Sequence, residues 1–384
     1  MAMNYRRWAP ALTILGTLTL GSCGGGDQAA TDGGEILIGE YGSLTGTTAT
    51  FGISTRNGID MAIDEVNAAG GVLGRQVRVI VEDDQGRPEE AQTVVTKLIT
   101  SDRVVAVLGE VASSRTLAAA PVAQQYGIPM VTPSSTNPAV TQVGDYIFRV
   151  CFIDPFQGLV MATFASRSLG LTRVAILRDI RNDYSVGLAD VFVENFQAMG
   201  GTIVIDQSYS EGDTDFSAQL TAIRAENPEA IFVPGYYTEV GLIARQAQSL
   251  GLDVPLLGGD GWDSPSLIEI GGDALDGSYF SNHYSVQDPS PAIQEFVAAY
   301  QARYGETPDA LAGLGYDAAM ILFDAMERAG TTDGAAVRDA LAQTADFAGV
   351  TGTITLDENR NAIKPAVVLQ VSGGQLVYVE TINP

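Results

Sequence analysis

Val104-Val105-Ala106-Val107-Leu108 leads into Gly109-Glu110-Val111-Ala112-Ser113-Ser114-Arg115-Thr116. After a helical segment, Ile128-Pro129-Met130-Val131-Thr132 leads into Pro133-Ser134-Ser135-Thr136-Asn137-Pro138. Each short apolar run ends in a hydroxyl-rich loop. Runs of this kind suit strands buried on both faces of a parallel sheet. Loops at the carboxyl ends of such strands are where open α/β sheets bind ligands. Ser113 or Ser114 falls at the start of a helix expected over 116–125, where free N–H groups and partial positive charge favour an anion. A purely structural account also fits these residues, with Ser113 as an N-cap and Pro133-Ser134 as a turn.

The same alternation extends in both directions. Upstream, Ile36-Leu37-Ile38 and Val77-Arg78-Val79-Ile80-Val81 read as strands. Helices follow over 57–67, with Ile59, Ala62, Ile63 and Val66 on one face, and over 88–99, with Pro88 in its first turn. The series restarts after Phe152. Strands are expected at Val174-Ala175-Ile176-Leu177, Ile203-Val204-Ile205, Ile231-Phe232-Val233 and Pro255-Leu256-Leu257, with helices between them. Three helices over 291–304, 311–329 and 335–342 and short strands over 353–356, 366–371 and 376–379 complete the chain. Two βα series of similar length predict two similar lobes with parallel sheets and right-handed crossovers.

Composition narrows the functional classes. The 384 residues are 46% apolar, with a formal charge of −25. Such a surface argues against nucleic acid and against adsorption on anionic lipid. Arg6 and Arg7 precede an apolar run over 9–20 and then Leu20-Gly21-Ser22-Cys23, the layout of a secretory signal. Leu-Gly-Ser-Cys also resembles the bacterial lipoprotein processing box, which makes residues 1–22 a signal peptide and Cys23 the lipidated first residue. The glycine-rich residues 23–34 read as a tether. Cys151, in an apolar run, then has no partner for a disulfide and reads as a small buried hydrophobe.

The second series also closes its strands with polar loops. These carry Asp183-Tyr184-Ser185, Gly235-Tyr236-Tyr237 and Gly258-Gly259-Asp260-Gly261. If the lobes face each other, Ser113, Ser134 and Thr136 look at Tyr184, Tyr236 and Asp260. Hydroxyls and helix N–H groups take a carboxylate, a carboxylate takes an ammonium, and aromatic rings cover an apolar side chain. Together they describe a site for a free α-amino acid. An enzyme is the rival class. Gly313-Leu314-Gly315-Tyr316-Asp317-Ala318 mimics a dinucleotide fingerprint but lies inside a helical segment and follows no strand. A single histidine, His283, disfavours a Ser–His hydrolase or a histidine-rich metal site. Asp83-Asp84 reads as a strand-end turn, so no metal or cofactor is expected.

The ordered series Gly42-Ser43-Leu44-Thr45-Gly46, Phe51-Gly52, Asn57-Gly58, Asn67-Ala68-Ala69-Gly70-Gly71-Val72-Leu73-Gly74, Glu82-Asp83-Asp84, Thr132 to Pro138, Asp183-Tyr184-Ser185-Val186-Gly187, Asp215-Phe216-Ser217 and Gly235-Tyr236-Tyr237 resembles the periplasmic leucine/isoleucine/valine-binding proteins. The resemblance covers Ile36 to about Val379. It implies a type I periplasmic binding protein whose lobes, 35–153 plus 285–363 and 154–284 plus 364–384, are joined by three hinge crossings near 151–154, 283–286 and 363–365. It implies a monomer anchored at the extracytoplasmic membrane face that hands an aliphatic amino acid to the permease of an ABC importer. Ser113 and Thr136 would bind the carboxylate. The Ser134 carbonyl and Asp260 would bind the ammonium. Tyr184 would cover the ligand, and Phe51 and Tyr236 would line the side-chain pocket. Three departures bear on the ligand. Asp260 stands where these receptors carry Glu, their first-lobe disulfide cannot form here, and Ser134-Ser135 is more polar than their alanine-rich equivalent. Receptors of the same fold for an amide, urea or an aromatic acid, and a ligand sensor, are the alternatives.

Overall fold

The structure is a computed structural model and describes residues 34–384. The expected signal peptide, nearly all of the tether, and Cys23 lie outside the described residues. No described helix is long and apolar enough to cross a membrane.

Two open sheets carry the chain. The first is built from β1 (Ile36–Gly42), β2 (Val77–Asp83), β3 (Ala106–Leu108), β4 (Met130–Thr132) and β5 (Ile147–Arg149). Its order is β2-β1-β3-β4-β5 and every pair is parallel. The register puts Ile38 beside both Val79 and Ala106. β3, β4 and β5 are buried along their whole length, and apart from Thr132 and Arg149 at the ends of β4 and β5 they are apolar.

The second sheet uses β6 (Arg173–Asp179), β7 (Thr202–Tyr209), β8 (Ala230–Phe232), β9 (Leu256–Gly258) and β10 (Tyr279–Asn282) in parallel. Past a small antiparallel sheet of β11 (Phe347–Gly349), β12 (Gly352–Leu356) and β13 (Ala362–Ile363), two more strands join it. These are β14 (Ala366–Ser372) and β15 (Gln375–Ile382), giving the order β15-β14-β10-β9-β8-β6-β7. They run antiparallel because Gly373 and Gly374 join them, with φ of 57° and 72°. Two consecutive left-handed residues make a tight hairpin, and a parallel crossover needs a far longer connection.

The chain passes between the lobes three times: between β5 and the helix Asp154–Thr163, between β10 and the helix Pro291–Tyr304, and between β13 and β14. Cys151, in the first passage, is fully buried and free, and burial pushes its thiol up to about 12. It packs as a small apolar group.

The first helix spans Ala49–Ala68, eight residues longer at its start than the periodicity predicts, so Phe51 sits in its first turn. It packs against the helix Ala310–Ala329. A Cβ on Gly58 would lie 1.9 Å from the Ala312 carbonyl oxygen, and one on Gly315 would lie 2.4 Å from that of Thr55. Gly315 of Gly313-Leu314-Gly315 thus serves a close helix crossing, whereas a Cβ on Gly313 would meet Thr351 and Tyr284. Gly58→Ala tests that constraint. Alanine gains about 1 kcal/mol of helix propensity, but the clash is with backbone and forces the helices apart, costing about 1–3 kcal/mol or more. The expected result is a lower denaturation midpoint by urea titration. An unchanged or higher midpoint would show that the crossing tolerates a wider spacing.

Candidate functional site

The loop after β3 begins at Gly109, whose φ of +116° and whose approach to the Tyr41 carbonyl, 2.1 Å from a would-be Cβ, admit only glycine. The helix that follows spans Ser113–Tyr126, three residues earlier than predicted, and Ala112 occupies the cap position with no side-chain hydrogen bond. Ser113 is therefore not the N-cap. Its Oγ accepts the Asn137 N–H at 3.2 Å, which ties the loop after β4 to the helix start. The two loops are further joined at the Glu110 carbonyl oxygen. It accepts the hydroxyls of Thr132 at 2.5 Å and Ser135 at 2.8 Å, and Thr116 Oγ1, 3.3 Å from it, is 2.6 Å from Ser135 Oγ. Ser134 is left to face the opposite lobe.

On that lobe, Asn182 caps the helix Asp183–Ala198 by accepting the Tyr184 N–H at 3.1 Å. The Tyr184 hydroxyl accepts the Gly261 N–H at 3.2 Å. Tyr184 stacks on Tyr236 with ring centroids 5.5 Å apart, and Phe51 from the first lobe meets Tyr236 edge-on at 5.4 Å. Asp260 opens a 3₁₀ turn directly after β9. Its N–H donates to Gln157 Oε1 at 2.7 Å. Its Oδ2 lies 3.3 Å from the Ser134 hydroxyl of the other lobe and 3.0 Å from Nε2 of His283.

These side chains converge on a cavity between the lobes that is closed down to about 10 Å³, about the room of one water. Phe51, Ser113, Ser134, Tyr184, Tyr236 and Asp260, all anticipated from the sequence, line it. Thr136 does not; it is buried, with its hydroxyl beside the Asp154 carboxyl. Val111, Gly261 and Leu311 complete the lining, and the sequence reading did not single them out. One end is hydroxyl-rich, one wall is apolar, and Asp260 is the only ionisable acid or base in the lining. Burial pushes the Tyr184 and Tyr236 phenols well above their ordinary range, so both stay neutral. Asp154 is a second carboxyl near Asp260. Burial pushes it up to about 8, with Asp260 adding to the shift, so it is largely protonated at neutral pH.

A second cluster sits at the mouth. Arg115, 2% exposed, donates to Ser43 Oγ and Thr48 Oγ1 at 2.9 Å each, and reaches across the cleft to Glu211 at 2.8 Å. Glu110 lies 3.5 Å away on the same lobe. Asp83 does make the expected strand-end turn, accepting the Leu44 and Gln85 N–H groups. Asp84 instead accepts Ser43 Oγ beside Glu110, and burial with that neighbour pushes it up to about 8. Uncharged contacts close the mouth as well: Asp183 N–H to Ser114 Oγ at 2.9 Å, Thr238 Oγ1 to the Thr47 carbonyl at 2.7 Å, and Thr50 Oγ1 with Ser264 Oγ at 2.9 Å.

Comparison with known proteins places this geometry in context. A family described as periplasmic binding protein matches residues 35–375. The Leu/Ile/Val-binding protein BraC3 of Rhizobium johnstonii is 33% identical over 350 residues, covering 90% of this chain and 94% of its own. The leucine-binding protein LivK of Thermotoga maritima superposes with a TM-score of 0.88 at 43% identity, over 91% of this chain and all but 1% of its own. The substrate-binding protein LivJ of Streptococcus pneumoniae, solved with isoleucine, gives 0.87 at 35% identity, over 91% of this chain and 100% of its own.

The Arg115–Glu211 pair bridges the lobes only when they are together. Glu211 is one third exposed, so the pair is worth about 1 kcal/mol, several-fold in the open-to-closed ratio. Glu211→Gln is expected to enlarge the radius of gyration of the unliganded protein in small-angle scattering. An unchanged profile would show that the pair contributes nothing to closure.

Proposed function

The chain belongs to the periplasmic binding protein family, and on that premise we propose that it captures a free aliphatic amino acid between its lobes and delivers it to an ABC importer. The observation that carries this reading is the division of the cavity: one carboxylate, one hydroxyl-rich end and one apolar wall. Asp260 takes the α-ammonium, together with the Ser134 carbonyl. Ser113 and the uncapped helix start behind it take the α-carboxylate. Phe51, Tyr236, Val111 and Leu311 face the side chain, and with no charge among them a branched aliphatic group fits best. Tyr184 covers the ligand. The protein acts by closure and has no catalytic role.

Closure supplies selectivity, because the carboxylate-binding hydroxyls and Asp260 stand on different lobes. A ligand shifts the open–closed balance only by its differential affinity for the closed form. An amino acid meets both lobes at once. An aromatic acid meets the hydroxyls but leaves Asp260 facing an apolar ring.

Two experiments test the reading. A thermal-shift screen over the amino acids, small amides, urea and benzoate identifies the ligand, since whatever binds only the native state raises its apparent stability. Leucine, isoleucine and valine are expected to give the largest shifts. Asp260→Ala then leaves a buried ammonium without its counter-charge, at a cost on the order of 3–5 kcal/mol, and should nearly abolish amino acid binding by calorimetry with the fold intact. Benzoate binding by the wild type, strengthened in Asp260→Asn and with no amino acid bound, would move the protein to the aromatic-acid class.

We also propose a monomeric lipoprotein held at the extracytoplasmic membrane face through Cys23. Cys23→Ser is expected to yield soluble, binding-competent protein in place of membrane-associated protein. Membrane association unchanged in that variant would refute the anchor.

A further inference from the structure

His283 is the chain's single histidine, and it lies on the second passage between the lobes, directly after β10. It is 3% exposed. Its ring stacks on Phe152 of the first passage, with centroids 3.9 Å apart and planes 22° apart. Its backbone N–H donates to Asn282 Oδ1 at 2.8 Å. Ring and backbone are thus both fixed, and Nε2 is aimed at Asp260 Oδ2 at 3.0 Å. Nδ1 is buried and meets no partner among the described residues.

From this geometry we infer that His283 is a positioning residue: it donates a neutral hydrogen bond to Asp260 Oδ2 and so turns the carboxylate toward the ligand ammonium without neutralising it. This inference rests on the functional reading above. A carboxylate oxygen accepts only, so the proton of the pair belongs on Nε2. A second proton on Nδ1 would be buried without an acceptor. The surroundings agree. Burial holds the imidazole below its ordinary range, and the nearby Lys364 cation reinforces that, while Asp260 opposes it. Lys364 is itself fully buried on the third passage, donating to Thr351 Oγ1. Charge is the point of the choice. A lysine or arginine at this position would pair with Asp260 and compete with the ligand ammonium. A neutral donor fixes the direction of the carboxylate and leaves its full charge for the ligand. Ser134 performs the same service from the other lobe at 3.3 Å.

Packing and hydrogen bonding make opposite predictions here. His283→Phe keeps the stack on Phe152 and loses the donor. His283→Gln loses the stack and keeps an N–H at about the reach of Nε2. Leucine affinity is measured by calorimetry at neutral pH, with thermal unfolding as a check on the fold. A hydrogen bond to a charged group sets the scale. His283→Gln is expected to bind within about threefold of wild type, and His283→Phe about tenfold more weakly or worse. If His283→Phe does not fold, His283→Asn replaces it, since its shorter amide falls short of Asp260, with the same expected loss. Binding by the phenylalanine (or asparagine) variant equal to that of wild type, or a glutamine variant no better than it, would overturn the positioning role. A wild type that binds no aliphatic amino acid would instead overturn the functional reading beneath it.

Discussion

The carbonyl oxygen of Glu110 is the point from which the first lobe's half of the cavity is hung. The hydroxyls of Thr132 at the end of β4 and of Ser135 in the loop after it donate to it, and Thr116 on the helix lies 3.3 Å away. Thr116 and Ser135 are also 2.6 Å from each other. A carbonyl has two lone pairs, and here they weld two separate strand-end loops into one rigid platform. Rigidity matters because a preformed site pays less ordering entropy when a ligand arrives. The knot also consumes Thr116, Thr132 and Ser135, which settles which hydroxyls of this Ser/Thr-rich region are left to meet a solute.

Charge is managed differently in the two parts of the cleft. At the mouth, Arg115 stands among Glu110, Asp84 and Glu211, and its guanidinium keeps a strong hold on its proton there. Burial and the neighbouring Glu110 push Asp84 up to about 8, so the cluster does not carry all of its formal negative charge at neutral pH. Inside, Asp154 is held largely neutral, and Asp260 is the one carboxyl lining the cavity. A buried carboxylate is tolerable only where hydrogen bonds compensate it. Ser134 and His283 supply two such bonds from outside the lobe's own loop.

Much of this was legible in the chain because it is local. Apolar runs closed by Ser-Ser, Asp-Tyr-Ser, Gly-Tyr-Tyr and Gly-Gly-Asp announce buried strands with polar ends, and five of the residues so marked line one cavity, joined by Phe51, which the family resemblance alone implied. What stayed hidden depends on contacts between distant segments. Arg115 and Glu211 are 96 positions apart, and Ser134 and Asp260 are 126 apart. Nothing in the neighbourhood of His283 shows that it reaches Asp260, although a lone histidine beside a predicted hinge was a signal that could have been followed. Local rules also failed where two local solutions compete. Ser113 has the residue type of an N-cap, yet its hydroxyl is taken by the Asn137 N–H. Residues 49–56 lack an apolar stripe because that turn faces the cleft as well as the core, so the first helix is longer than its periodicity.

That distribution has a physical consequence for how the protein discriminates. Each lobe alone offers an incomplete site: the first has hydroxyls and N–H groups with no counter-charge for an ammonium, and the second has a carboxylate and aromatic rings with no donors for an acid. Only the closed form presents both at once. The contacts that hold it closed at the rim, Asp183 on Ser114, Thr238 on Thr47 and Glu211 on Arg115, touch no ligand and are the same for every solute. They set how far closure lies from balance, and the ligand supplies the difference. On the proposed reading, specificity resides in whether a molecule is long enough to span from Ser113 to Asp260 and carries opposite charges at those two ends. The apolar wall of Phe51, Val111, Leu311 and Tyr236 acts second, by sorting side chains among molecules that have already met that condition, and a methylene more or less against such a wall changes affinity by only about 1–3 kcal/mol.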